Sequence, residues 1–296
     1  ENFGGGRIWG GYLPSDKDYN DEDRKDLHYL HNWKIDDQWS TNLEYNYVSD
    51  KDFFTDLDND PNTRTELNQR RAWQLNYGNG IPGLRAQLRV EDFQTIDPDL
   101  ADIDRPYARL PQLLVNYTKG DVQGLEFEFN NDTAYFKKNI RDFENQAEPN
   151  GTRIFNEMAL RYNLKQPWGF VVPEVSVRSL NNFYDQDTVE NTNFRSNSED
   201  KSVVVPQFTL DTGLTFEREG KYLQTLSPRA FYAYAPHQNQ DDYPNFDSTA
   251  ASLNYDQLFN PKRFYGHDRL EDNNFLSLGL SYSLFDPIGL ERLRAS

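Results

Sequence analysis

Trp39-Ser-Thr-Asn-Leu-Glu-Tyr-Asn-Tyr-Val48 decides the fold. On an extended chain Trp39, Thr41, Leu43, Tyr45 and Tyr47 fall on one side, and Ser40, Asn42, Glu44 and Asn46 on the other, because successive strand side chains point to opposite faces. The period of two recurs in Leu84, Ala86, Leu88 and Val90 against Arg85, Gln87, Arg89 and Glu91. It recurs again in Leu276, Leu278, Leu280, Tyr282 and Leu284 against Ser277, Gly279, Ser281 and Ser283. No helical period competes over a useful length. A strand with one apolar and one polar face divides two different surroundings.

Carried outward, the same pattern predicts about thirteen strands of roughly ten residues, the length that crosses a bilayer at a tilt. They span 5–13, 27–35, 39–48, 69–77, 84–93, 107–117, 125–135, 152–163, 170–180, 203–216, 222–235 and 274–285, with another start at 290. Between them short turns (36–38, 78–83, 118–124, 166–169, 217–221, 286–289) alternate with long loops (14–26, 49–68, 94–106, 136–151, 181–202, 236–273). In an up-and-down barrel alternate connections emerge at opposite ends, so this parity is the outer-membrane pattern, with the long loops extracellular. The expected fold is all-β: an antiparallel up-and-down transmembrane β-barrel, partial, with residues 1–296 forming one barrel fragment. Trp33, Trp39, Tyr77, Tyr117, Tyr162, Trp168 and Tyr282 cluster beside the short turns, as an interfacial aromatic belt requires.

Composition agrees. Hydrophobic residues are 36% of the chain but aromatics are 15%, so Phe and Tyr carry much of the apolar area, as on a lipid-facing β surface. No run of apolar residues is long enough for a transmembrane helix. A formal charge of −17 argues against nucleic acid as partner. The lack of cysteine excludes a disulfide scaffold and thiolate metal sites within this stretch. No signal-peptide pattern opens at Glu1-Asn2-Phe3, so the chain reads as mature or as a piece of a longer protein.

Sites with chemistry of their own are not evident. Asp56-Leu57-Asp58-Asn59-Asp60-Pro61 begins like a calcium loop but lacks the sixth-position glycine, and Leu67 stands where the closing glutamate belongs. His28 and His31, three apart on a strand, point to opposite faces and share no metal. His237 and His267 lie in one loop with no nucleophile pattern. The expectation is no enzyme, no catalytic residue, no metal and no cofactor. Pro111, Pro173 and Pro206 are expected at strand ends or bulges, and Pro228, more central, at a bulge.

The polar faces are expected to line a lumen and to touch a plug or cargo there: Glu44, Asn46, Gln74, Gln87, Arg89, Glu126, Glu128, Glu157, Arg161, Gln207 and Asp211. The longest connection, 236–273, is too aromatic for disorder. Tyr243, Phe246, Asp247, Tyr255, Phe259, Arg263, Tyr265, Asp268 and Arg269 are expected to fold it inward as an extracellular cap, with aromatics on the barrel mouth and arginines paired to carboxylates.

Several stretches carry a resemblance. Gly11-Tyr12-Leu13-Pro14-Ser15-Asp16-Lys17, Arg109-Leu-Pro111-Gln112-Leu113, Val205-Pro206-Gln207-Phe208 and Thr225-Leu-Ser-Pro228-Arg229-Ala230 resemble strands of the LptD family. The most specific match runs from Tyr243 to Leu270, with Asn245-Phe246-Asp247-Ser248, Tyr255, Leu258-Phe259, Arg263, Tyr265-Gly266 and Asp268-Arg269. The resemblance implies a large outer-membrane barrel that takes lipopolysaccharide from a periplasmic bridge and releases it into the outer leaflet. It also implies an LptE-like lipoprotein in the lumen and a periplasmic jellyroll domain. That jellyroll, the family's paired cysteines and the final barrel strands are expected to lie outside this stretch. A passive porin or a TonB-dependent-receptor-type channel is the alternative that explains the barrel equally well.

Overall fold

The computed structural model describes residues 3–57, 67–138, 149–185 and 200–296. Asp58–Pro61 of the calcium-like stretch, and the middles of the loops 49–68, 136–151 and 181–202, lie outside them.

The strands are β1 (Gly5–Asp16), β2 (Glu22–Lys34), β3 (Trp39–Val48), β4 (Asn68–Tyr77), β5 (Leu84–Thr95), β6 (Ala108–Val122), β7 (Leu125–Lys137), β8 (Gly151–Tyr162), β9 (Leu164–Gln166) and β10 (Gly169–Tyr184). They continue as β11 (Lys201–Leu214), β12 (Phe216–Arg218), β13 (Leu223–Ala235), β14 (Thr249–Ala250), β15 (Phe264–Tyr265), β16 (Asn273–Phe285) and β17 (Glu291–Ala295). A short helix α1 (Phe53–Leu57) follows β3. All but β14 and β15 form one antiparallel sheet of 15 strands, in which chain neighbours pair in sequence order from β1 to β17. The sheet is not closed. Its path is the up-and-down meander that the alternation of short and long connections predicts.

Most strand boundaries fall within a few residues of the sequence reading; the departures are at the connections. The 118–124 turn is a hairpin of only Gln123 and Gly124, both at positive φ (58° and 88°), which matches the twist of the flanking strands. The first long loop is also shorter than expected, because β1 runs on to Asp16 and β2 starts at Glu22. Other short turns are fixed by aspartates: Asp36 Oδ1 accepts from the amides of Gln38 and Trp39, and Asp286 Oδ1 from those of Ile288 and Leu290.

The prolines resolve differently from one another. At Pro111 the β6 ladders shift register, the expected bulge. Pro206 lies beyond the end of the β11–β13 ladder, which starts at Phe208. Pro228 is not a bulge. The same register holds on both sides of it, Gly213 opposite Arg229 and Phe216 opposite Leu226, so no residue is inserted. What is lost is the pairing opposite Pro228, which separates β11 from β12. Pro173 does the same inside β10, between Arg161 opposite Glu174 and Leu164 opposite Val171, and so separates β9 from β8. A residue without an N–H interrupts the ladder and need not bend the strand.

The two faces keep their character from strand to strand. Leu43, Tyr45, Leu75, Leu88, Leu278 and Leu280 share the apolar face, where Leu278 is 73% exposed. At the short-turn end Trp39 packs on Tyr77, ring centroids 4.8 Å apart. Large buried apolar clusters lie against the other face, near its long-loop end. One joins Phe155, Leu180, Val203 and Val205 to Tyr243 and Leu270, and another joins Tyr107, Ala134 and Phe136 to Phe246. The hydrophobic core is thus built between the polar face and the 236–272 connection folded onto it.

Candidate functional site

Cross-strand register carries one face through the whole sheet. Gln74 pairs with Arg89, Arg89 with Gln112, Asn130 with Glu157, Glu157 with Arg178, Ser176 with Gln207, and Asp211 with Phe231. All eleven residues named from the sequence stand on that face. Their carboxylates are not bare. Glu44 pairs with Arg70, which also reaches Glu91 at 3.0 Å. Arg161 lies between Glu126 (2.6 Å) and Glu174 (2.6 Å), with Glu128 at 3.8 Å. Asp211 holds Arg229 at 2.7 Å. Asn46 meets His28 at 2.8 Å, Gln87 donates to Asn76 at 2.7 Å, and Arg89 donates to Gln112 at 2.6 Å. The wall is a lattice of alternating charge, where its acidic members alone read as an acidic lining.

Near the long-loop end this lattice grips the connection between β13 and β16. Arg153 of β8, fully buried, reaches Asp247 at 2.5 Å and Asp268 at 2.6 Å in the loop, and Asp132 of β7 at 3.0 Å. Arg109 of β6 adds a second contact to Asp247 at 3.1 Å. Arg178 of β10 donates to Glu271 at 2.5 Å and Glu157 accepts from Lys262 at 3.2 Å. Asp268 also accepts from the backbone amides of Asp247 and Ser248, so its buried carboxylate has its lone pairs occupied. Burial pushes the Asp247 carboxyl up, but Arg153 and Arg109 outweigh it and leave it below the usual carboxylate range. Asp268, held by burial and by its neighbour's charge against the pull of Arg153, stays above that range.

The loop's aromatics divide between two depths. Phe246 stacks on Phe136 with centroids 4.5 Å apart and meets Tyr107 edge-on. Phe259 packs against Phe231 and under Arg229, 4.3 Å from its ring centre, while the Tyr255 hydroxyl is 3.3 Å from Ser281 Oγ. Ser281 is eight residues into β16, roughly 25 Å of strand. The loop therefore reaches well past the mouth, further than a cap. Its arginines do not all pair as expected. Arg263 meets Asp272 at 2.5 Å, but Arg269 donates to the carbonyls of Tyr243 and Pro244, and Tyr265 is exposed. The pairing is mainly inverted, with strand arginines holding loop carboxylates.

Sequence reading missed Arg109, Arg153, Arg178, Asp132 and Glu271. A usable signal existed. Val203-Val204-Val205 and Ala230-Phe231-Tyr232-Ala233-Tyr234-Ala235 break the alternation, and a strand that is apolar on both sides is covered on both sides. His28 and His31 face opposite sides, as expected, and no metal-binding group of His, Cys, Asp and Glu is found among the described residues. His267 stacks on Phe155 and meets Asp132 at 3.0 Å, with no serine hydroxyl bonded to it among the described residues.

An open antiparallel sheet with one lipid-suited face, one charge-laced face and a loop folded onto the latter defines a piece of an outer-membrane-type β-barrel. The LptD family model, described as LPS transport system D, matches residues 22–296, and the chain belongs to that family. It is 70% identical over its whole length to the LPS-assembly protein LptD of Acinetobacter baumannii and 68% identical to that of Acinetobacter baylyi. It is 37% identical to the LPS-assembly protein LptD of Psychrobacter cryohalolentis. The chain spans 36% of the length of either Acinetobacter relative and 31% of the Psychrobacter one.

Proposed function

We propose that residues 1–296 are part of the transmembrane barrel of a protein that delivers lipopolysaccharide to the outer leaflet of a bacterial outer membrane. The polar face lines the lumen and the long loops are extracellular. The work is transport without covalent chemistry, so no residue here is catalytic. The observation that carries the reading is the sheet's two-faced construction, lipid-suited outside and laced with ion pairs inside, in a member of the LptD family. Membership also favours this reading over a porin or a TonB-dependent receptor.

A wall of paired charges holds no bare phosphate strongly, because most of its carboxylates already have a basic partner. It suits passage of an amphipathic cargo or contact with a plug. So wide a barrel is not filled by its own side chains, which supports a lipoprotein of the LptE kind against Glu44, Asn46, Gln87 and Arg89. The cargo arrives from periplasmic bridge proteins through a domain outside this stretch. The test is depletion of the full-length protein in cells, with surface lipopolysaccharide measured, and photocrosslinkers at 44, 46, 87 and 89. Loss of surface lipopolysaccharide and capture of a small lipoprotein are expected. Unchanged surface lipopolysaccharide overturns the function, and capture of lipid alone at all four positions overturns the plug.

A further inference from the structure

We propose that a groove on the polar face of β1, β2 and β3 binds a neutral saccharide, the sugar portion of the glycolipid cargo, against the ring of Trp9. Of the five tryptophans, Trp33, Trp39 and Trp73 stand on the apolar face and Trp168 sits in a short turn. Trp9 alone stands on the polar face, where its register partner is His28 and the partner of His28 is Asn46. It is 42% exposed. With Gly11, Asp26, Glu44 and Asn46 it lines a groove of about 850 Å³. The groove lies on the lumen side of the sheet, away from the aromatic belt that the other tryptophans serve.

The platform is built in advance. The rings of Trp9 and His28 stack with centroids 5.1 Å apart and planes 13° from parallel. His28 is held in turn by Asn46 Oδ1 at 2.8 Å on one ring nitrogen and by Asp26 at 3.2 Å on the other. One face of the indole is therefore backed, and the other is left for a ligand. Gly11, next along the same face, keeps the approach open, because a Cβ there would meet Asp26 Oδ1 at 2.7 Å. Asp26 Oδ1 instead accepts from the Gly11 amide at 2.5 Å. A pyranose ring presents C–H groups on its flat side and hydroxyls around its edge. The C–H groups carry a slight positive charge and suit the negative face of an indole. The hydroxyls need acceptors. Asp26 Oδ1 faces Gly11 and Oδ2 faces His28, which leaves a lone pair on each, and Glu44 beside Arg70 keeps lone pairs as well. No lysine or arginine is among the described residues that line the groove. Two carboxylates without such a cation accept sugar hydroxyls and repel phosphate, so the charge selects the uncharged part of a glycolipid.

The inference rests on the transport reading above, and the test separates the two. The full-length protein is purified in lauryldimethylamine oxide, a detergent without sugar, and studied by saturation-transfer NMR. The probes are core oligosaccharide cleaved from lipopolysaccharide and dephosphorylated, the same oligosaccharide with its phosphates, and maltotetraose. The dephosphorylated core oligosaccharide should bind most tightly, and Trp9→Ala should weaken its binding about ten-fold. Trp9→Leu, which keeps apolar bulk but no ring, should weaken it as much and serves if Trp9→Ala fails to fold. Trp9→Phe should keep most of the affinity, and Trp73→Ala, on the apolar face, should keep all of it. Each variant is first checked for the heat-dependent gel mobility of a folded barrel. No binding by the unaltered protein, or undiminished binding once the ring is removed, overturns the site. Tighter binding of the phosphorylated oligosaccharide overturns a neutral saccharide as its ligand, and equal binding of maltotetraose overturns the cargo as its source. Surface lipopolysaccharide that is unchanged on depletion, with saccharide binding intact, overturns the transport reading and leaves the saccharide site standing.

Discussion

Arg153 and Asp268 meet at 2.6 Å with both side chains fully buried, joining the eighth strand of the sheet to a loop 115 residues later. Neither charge reaches water, so each depends on the other and on the hydrogen bonds around it. Removing one partner of such a pair leaves an uncompensated buried charge and costs about 3–5 kcal/mol. Arg153→Ala should therefore release the loop and lower the temperature at which the barrel loses its folded gel mobility. Arg263→Ala, which breaks the half-exposed pair with Asp272, should cost less than about 1 kcal/mol. Equal effects of the two would refute the clasp.

Leu278→Arg places a charge midway along the lipid-suited face of β16. It should destabilise the barrel by about 2–4 kcal/mol. Gln87→Arg, on the polar face of β5, should cost far less. Denaturant unfolding of the full-length protein from lipid vesicles measures both, and similar costs would mean that the register of faces is wrong.

The clasp should weaken in acid. Asp247 is held below the usual carboxylate range by Arg153 and Arg109, against the opposing push of burial. A depressed carboxylate contributes stability that is complete above its unfolded value, about 3.9, and is lost as pH falls through its lower folded value. Asp268 is raised and contributes with the opposite sign, so acid relieves it and sharpens no loss at neutral pH. Proteolysis within 251–262 should stay slow at neutral pH and accelerate below about pH 4. Asp247→Asn should remove that acid dependence, and a profile unchanged by the substitution would exclude Asp247 as its source.

Replacing 243–269 by a short glycine-serine linker should leave the strands assembled, because the sheet ladder does not include the loop. Cells carrying that variant in the full-length protein should admit large antibiotics that the outer membrane normally excludes. An intact barrier with an assembled barrel would show that the loop does not seal the lumen.

Much of this was legible. Alternation in Trp39–Val48 and its repeats sets the faces, and parity of connection length sets the meander, because both follow from local backbone geometry. Composition of 236–273 signalled an inward fold. That β11 and β13 are covered on both sides could be read, but not which residues grip the loop, because Arg109, Arg153 and Arg178 look like ordinary polar-face residues until the loop arrives, and each meets a partner 93 or more residues away. The effect of Pro228 was misread for a related reason. A proline's missing donor is certain from sequence, but whether the ladder bulges or simply opens depends on the partner strand.

The long span of the Arg109–Asp247 and Arg153–Asp268 contacts also sets an order in time. These pairs close only after β6 to β11 have paired and β13 and β16 have brought the intervening chain back. Contacts so remote in sequence are late events, since the loop entropy they require is not recovered until the sheet between them exists. A chain stalled after β11 leaves Arg153 and Arg109 with only their sheet partners, Asp132 and Glu91, and only one that has finished carries them covered. The ion clasp is therefore a mark of completed assembly, legible to any protease or folding factor that meets the polar face before the loop does.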